Sequence, residues 1–162
     1  MAAAAVQATA GTQPKPEEQA EIVVSKLTLA DLPLHGVWLV GRMRERWPTL
    51  SDARVMGLLR GWMGDNAALL VKTGRGVMLA AVAPEPIELA PTVRVLFLFL
   101  LDKAADETHA NRLIRAAETW ARGHRASRLT VDPRAADVGA GRLKTLIRAE
   151  ITSLLTRNLD QA

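Results

Sequence analysis

The chain has 162 residues, about one domain's length of polypeptide, so it can bury one sizeable core but not two ordinary ones. Hydrophobic residues make up 49% and charged residues 23%, which excludes collagen-like, coiled-coil and wholly disordered architectures. Cysteine and tyrosine are absent, so the formal net charge of only +4 carries the pI to about 10.1, and disulfides, thiolate metal sites and a cysteine nucleophile are excluded. The densest apolar run, Val95 to Leu101, is far shorter than the roughly 20 residues a membrane-spanning helix needs.

Residues 1–20 (MAAAAVQATAGTQPKPEEQA) form an Ala-, Gln-, Thr- and Pro-rich leader whose one large apolar side chain after Met1 is Val6. Such a segment buries too little surface to offset its ordering entropy, which predicts a flexible arm. No Lys or Arg precedes the alanines and the apolar stretch is weak, so a secretory signal is not expected. The expected location is the cytoplasm or a particle assembled there. Residues 21–162 are read as a single domain.

The run Ile22 to Leu29 is β-branched and predicts a strand. Ala30-Asp31 begins a helix with Pro33 in its first turn, and Leu34, Val37, Trp38 and Gly41 recur at helical spacing up to Trp47-Pro48. Thr49 or Ser51 caps a second helix with Val55, Leu58, Leu59 and Trp62 on one face. Two strands, 67–72 and 77–83, flank the hairpin signal Thr73-Gly74-Arg75-Gly76. After a Pro-rich connection, Thr92 to Leu101 (TVRVLFLFLL) has the continuous apolarity of a central strand buried on both faces. A long helix follows from Asp106 or Thr108 to Gly123, with Leu113, Ile114, Ala117, Trp120 and Ala121 facing inward. Ser127 to Asp132 is a short strand, 141–149 a weaker helix, and Ile151 to Leu155 a last strand.

This order, together with LFLFLLDKAADETHANRLIRAAETWARGHRASRLTVDP, resembles the GNAT (N-acetyltransferase) superfamily over residues 21–158. The resemblance implies an α/β fold (α+β mixed sheet) with GNAT-like order β-α-α-β-β-β-α-β-α-β, a mixed central sheet and helices on both faces. It also implies an acetyl-CoA site in which backbone N–H groups at the long helix's N-terminus hold a pyrophosphate. The family's loop reads glutamine or arginine, two variable residues, glycine, one variable residue, then glycine or alanine. Here the matching stretch is Ala105-Asp106-Glu107-Thr108-His109-Ala110, and only Ala110 conforms. Ala105 replaces the first polar or basic residue, Thr108 replaces the glycine, and Asp106 and Glu107 bring two carboxylates to the pyrophosphate position. The resemblance makes Thr108, His109 and Ala110 the candidate cofactor contacts, in a degenerate loop. Carboxylates complement a helix N-terminus, so at least one is expected to accept first-turn N–H groups.

Many members of the family use a tyrosine as general acid, and none exists here. Glu85, Glu88 and His109 are the available bases; the catalytic residue stays unassigned. No metal site is expected, since His35, His109 and His124 lack ligand spacing. The two leading functions are therefore a non-catalytic structural or assembly component, and an acyl-CoA-dependent N-acetyltransferase with an unusual pyrophosphate loop. The first needs no cofactor, and its partners would be other protein chains bound through the 1–20 arm and the domain surface. The resemblance offers a phage particle as its setting. A third and weaker reading, nucleic-acid association, rests on the basic excess carried by residues 103–162, mostly arginine; with no block of like charge and no basic–aromatic interleaving, a solvated basic face is the favoured account of it.

Overall fold

The computed structural model describes residues 21–83, 90–102, 106–147, 150–151 and 155–158. The predicted arm 1–20, Glu85, Glu88 and Ala105 lie outside the described residues.

The β-branched opening run makes a shorter strand than its composition predicts. Only Ser25–Lys26 (β1) pairs, Ser25 opposite Lys72 and Lys26 opposite Val71. The Thr28 N–H and Oγ1 both donate to the Asp31 carboxylate at 2.8 Å, a local polar alternative that turns the chain out of the ladder. Helix α1, Leu32–Arg46, follows, with Pro33 in its first turn. The structure corrects its inward face: Gly36, Leu39 and Met43 are buried, whereas Leu34 and Val37 are 79% and 84% exposed. Apolar side chains surround this helix, so spacing alone selects no face. Helix α2, Asp52–Gly64, is capped by Ser51, whose Oγ accepts the Arg54 N–H at 3.3 Å.

Strands β2, Ala68–Thr73, and β3, Gly76–Ala83, form the expected antiparallel hairpin. Neither turn glycine has positive φ, so the turn itself does not require them. Gly76 is required by packing: a Cβ there would lie 2.9 Å from Leu100 Cδ2 and 3.2 Å from the Phe99 carbonyl. Strand β4, Thr92–Leu100, pairs antiparallel with β3. Helix α3, Glu107–Gly123, then crosses to β5, Arg128–Val131, which runs parallel to β4. After α4, Ala140–Ile147, the single predicted final strand is two: β6, Glu150–Ile151, and β7, Leu155–Asn158, with Ile151 opposite Leu155. The predicted strand contributes Ile151 to one and Leu155 to the other. The sheet order is β1-β2-β3-β4-β5-β7-β6, mixed and with β4 at the centre.

Helix α3 covers one face with Leu113, Ile114, Ala117 and Ala121 fully buried against Met78, Val93 and Val95; Trp120 is half-buried at its edge. Helices α1 and α2 cover the other, packing Leu39, Met43, Val55 and Leu59 on Leu70, Val77, Leu79, Phe97 and Phe99. Leu79 pairs with Phe97 but Ala80 with Val95, so Leu96 is an extra residue in β4. This bulge reverses the alternation: Val93 and Val95 face α3, whereas Phe97 and Phe99 face α1 and α2.

Candidate functional site

Sites in open α/β sheets form beyond the carboxyl ends of parallel strands. Here that place is the C-terminal end of β4, beside the N-terminus of α3. The β4–β5 ladder stops at Val95 opposite Val131. The chain then makes a 3-10 turn at Pro133–Ala135, where Asp132 Oδ1 accepts the Arg134 N–H at 2.8 Å, and returns to β4. Ala136 bridges Leu98 in parallel and the Asp137 N–H donates to the Leu98 carbonyl at 2.8 Å. The Leu100 N–H donates to Asp137 Oδ2 at 3.0 Å. Arg42 of α1 donates to the same carboxylate oxygen through Nη2 and to Glu45 through Nη1 at 2.7 Å. Its guanidinium stands 5.6 Å from the Phe99 ring centre. Arg42, Glu45, Arg46, Phe99 and Asp137 line a cavity of about 210 Å³.

At the start of α3, Asp106 is 2% exposed. Arg75, from the β2–β3 turn, donates through Nε to Asp106 Oδ1, and the Asp102 N–H donates to Oδ2 at 2.8 Å. The Asp106 side chain accepts no first-turn N–H, and Glu107 pairs instead with Arg142 of α4. This corrects the expected capping geometry: a cation and a preceding amide, not the helix amides, take these carboxylates. The first-turn amides of His109 and Ala110 both donate to the Asp106 carbonyl, at 3.0 and 3.1 Å.

The three candidate contacts diverge. Thr108 is exposed, His109 is half-buried with Nδ1 2.9 Å from Thr73 Oγ1, and Ala110 is fully buried in the core. Sequence reasoning missed Arg42, Arg75 and Asp137. The 95-residue separation of Arg42 from Asp137 leaves no local signal, although Arg75, a charge inside a tight turn, was a visible candidate. Among the described residues no group of three or more His, Cys, Asp or Glu could hold a metal ion. No helix among them is long and apolar enough to cross a membrane.

No protein-family model matches the sequence, and no curated protein matches it. Solved structures do. The aminoglycoside 6'-N-acetyltransferase AAC(6')-Ih of Acinetobacter baumannii superposes with a TM-score of 0.56 at 16% identity, over 69% of this chain and 79% of that one. AAC(6')-Iy, in complex with the bisubstrate analog CoA-S-monomethyl-acetylneamine, gives 0.56 at 14% identity over 70% and 80%. A ribosomal-protein-alanine N-acetyltransferase of Brucella melitensis biovar Abortus 2308 gives 0.53 at 16% identity over 68% and 79%. At these identities the likeness is one of fold, and the fold is that of the GNAT N-acetyltransferases.

The residues at this end differ from the glycine-containing coenzyme loop of the fold's family. At the α3 N-terminus stand the buried Asp106 carboxylate, paired with Arg75, and that of Glu107, paired with Arg142. An extended ligand laid along the free edge of β4 would find the Leu98 carbonyl and the Leu100 N–H already bonded to Asp137.

Proposed function

We propose that this protein is a GNAT-fold component of a larger protein assembly that does not use acetyl-CoA. The observation that carries this reading is the chemistry at the C-terminal end of β4, where buried Asp106 pairs with Arg75 and Asp137 pairs with Arg42 and the Leu100 N–H. Exposed apolar side chains supply a surface for partner chains. Leu34 and Val37 stand on α1 beside a groove of about 440 Å³ lined by Leu32, Val37, Val40 and Met56 among others. Apolar surface of this kind on a soluble domain marks protein contacts.

Calorimetric titration of the full chain with acetyl-CoA tests the reading. No saturable heat is expected from the wild type. Micromolar binding, about 8 kcal/mol, would overturn it. The variant Asp106→Ala/Glu107→Ala/Thr108→Gly removes both carboxylates and restores the loop glycine. Acetyl-CoA binding gained by this variant alone would mark the domain as a derivative of an enzyme scaffold.

The second reading is an acyl-CoA-dependent N-acetyltransferase. It is favoured by the neighbours themselves, which are named as acetyltransferases, one of them holding a CoA-containing bisubstrate analog. Wild-type binding in the same titration would select it.

A further inference from the structure

The outward face of α3 carries a charge pattern that the cofactor end does not involve. Arg112, Arg115 and Arg122 fall within about 80° of one another on a 3.6-residue helix, with Thr108 and Thr119 between them. All three are exposed, and none forms an ion pair with a described residue. Of the two acids on α3, Glu107 is held by Arg142 and Glu118 is half-buried.

Arg125 lies two residues past the end of α3. It is exposed and has φ 55°, the sole positive φ of a non-glycine residue among the described residues. Glycine would adopt this backbone with less strain, yet Gly123 lies two residues earlier, in ordinary helical geometry. By contrast, Arg54 and Arg60 of α2, six residues apart, point to different sides of their helix.

The guanidinium fork matches phosphate oxygens, and the ten helical steps from Arg112 to Arg122 span about 15 Å, long enough to meet several phosphates of a duplex. Trp120, the one aromatic residue of α3, is half-buried in the core cluster and packs on His124 at 4.2 Å between ring centres. The stripe thus offers cations without a platform for unstacked bases, which favours duplex backbone over single strands. We propose that Arg112, Arg115, Arg122 and Arg125 form a sequence-independent docking surface for the phosphate backbone of duplex nucleic acid.

Fluorescence anisotropy of the full chain with a labelled DNA duplex of arbitrary sequence, between about 50 mM and 200 mM salt, tests this. Four contacts predict a log–log salt slope of about −3.6, at roughly −0.9 per phosphate. The variant Arg112→Gln/Arg115→Gln/Arg122→Gln should flatten the slope to about −1, and Arg54→Gln/Arg60→Gln should leave it unchanged. Arg125→Gly, which relieves backbone strain, should raise the melting temperature while weakening binding. The proposal is overturned if the wild type does not bind at the lower salt, or if the triple variant keeps the wild-type slope. Tighter binding of a single strand, or equal competition by an acidic polypeptide, also overturns it.

Discussion

The Asp137 carboxylate accepts the backbone N–H of Leu100 at 3.0 Å and the Arg42 guanidinium on the same oxygen. One side chain thereby ties α1, the end of β4 and the segment after β5 together. Removing it strands the Leu100 backbone donor and leaves Arg42 with Glu45 alone. Asp137→Ala should cost about 1–3 kcal/mol for the unpaired N–H alone, read as a lowered midpoint in urea unfolding. Asp137→Asn keeps an acceptor oxygen and should cost less.

The two turn glycines should respond oppositely to substitution. Gly76→Ala pushes a methyl group into Leu100, Leu113 and the Phe99 carbonyl, and should destabilise by about 1–3 kcal/mol. Gly74 has open space around its would-be Cβ and no positive φ. Gly74→Ala should therefore be neutral or stabilise by up to about 1 kcal/mol, through the unfolded chain. Thermal melts of both variants check the pair.

Asp31 gives the fold an acid-sensitive contact. Its hydrogen bond from Lys72, aided by those from Thr28, lowers its pKa from 3.8 to about 2. A depressed folded-state pKa contributes stability above the unfolded value, and the contribution is lost as pH falls from about 4 towards 2. Asp31→Asn should lower stability at neutral pH and converge on the wild type near the acid end of that window. Chemical denaturation at several pH values reads the convergence.

Arg75 and Asp106 should be strongly non-additive. Asp106→Asn leaves the exposed Arg75 head in water, whereas Arg75→Ala leaves a buried carboxylate without its cation. Arg75→Ala should therefore lower the melting temperature more than Asp106→Asn does. The double variant should lose less than the sum of the singles, and a double-mutant cycle measures the difference.

Periodicity made α3 legible because polar and apolar residues separate cleanly around it, and Leu113, Ile114, Ala117 and Ala121 are all fully buried. It failed on α1, where an apolar residue at nearly every turn position left Leu34 and Val37 looking inward. The continuous apolarity of β4 identified a central strand but hid the bulge at Leu96, since a run without alternation has no phase to lose. The altered loop at Asp106 and Glu107 was visible by comparison with the GNAT pattern. Their actual partners, Arg75 and Arg142, come from a distant turn and a later helix, which only the folded topology brings near.

The sheet order has a consequence for the chain as it leaves the ribosome. Strands β1 to β4 pair only with sequence neighbours, and α1 and α2 are made before β4, so the first hundred residues hold every element of one hydrophobic layer. This half can assemble early from local contacts. Its opposite face, with Met78, Val93 and Val95, stays uncovered until α3 emerges and crosses over. Synthesis therefore passes through an interval with a formed sheet and one bare apolar side, and aggregation during expression should concentrate in that interval.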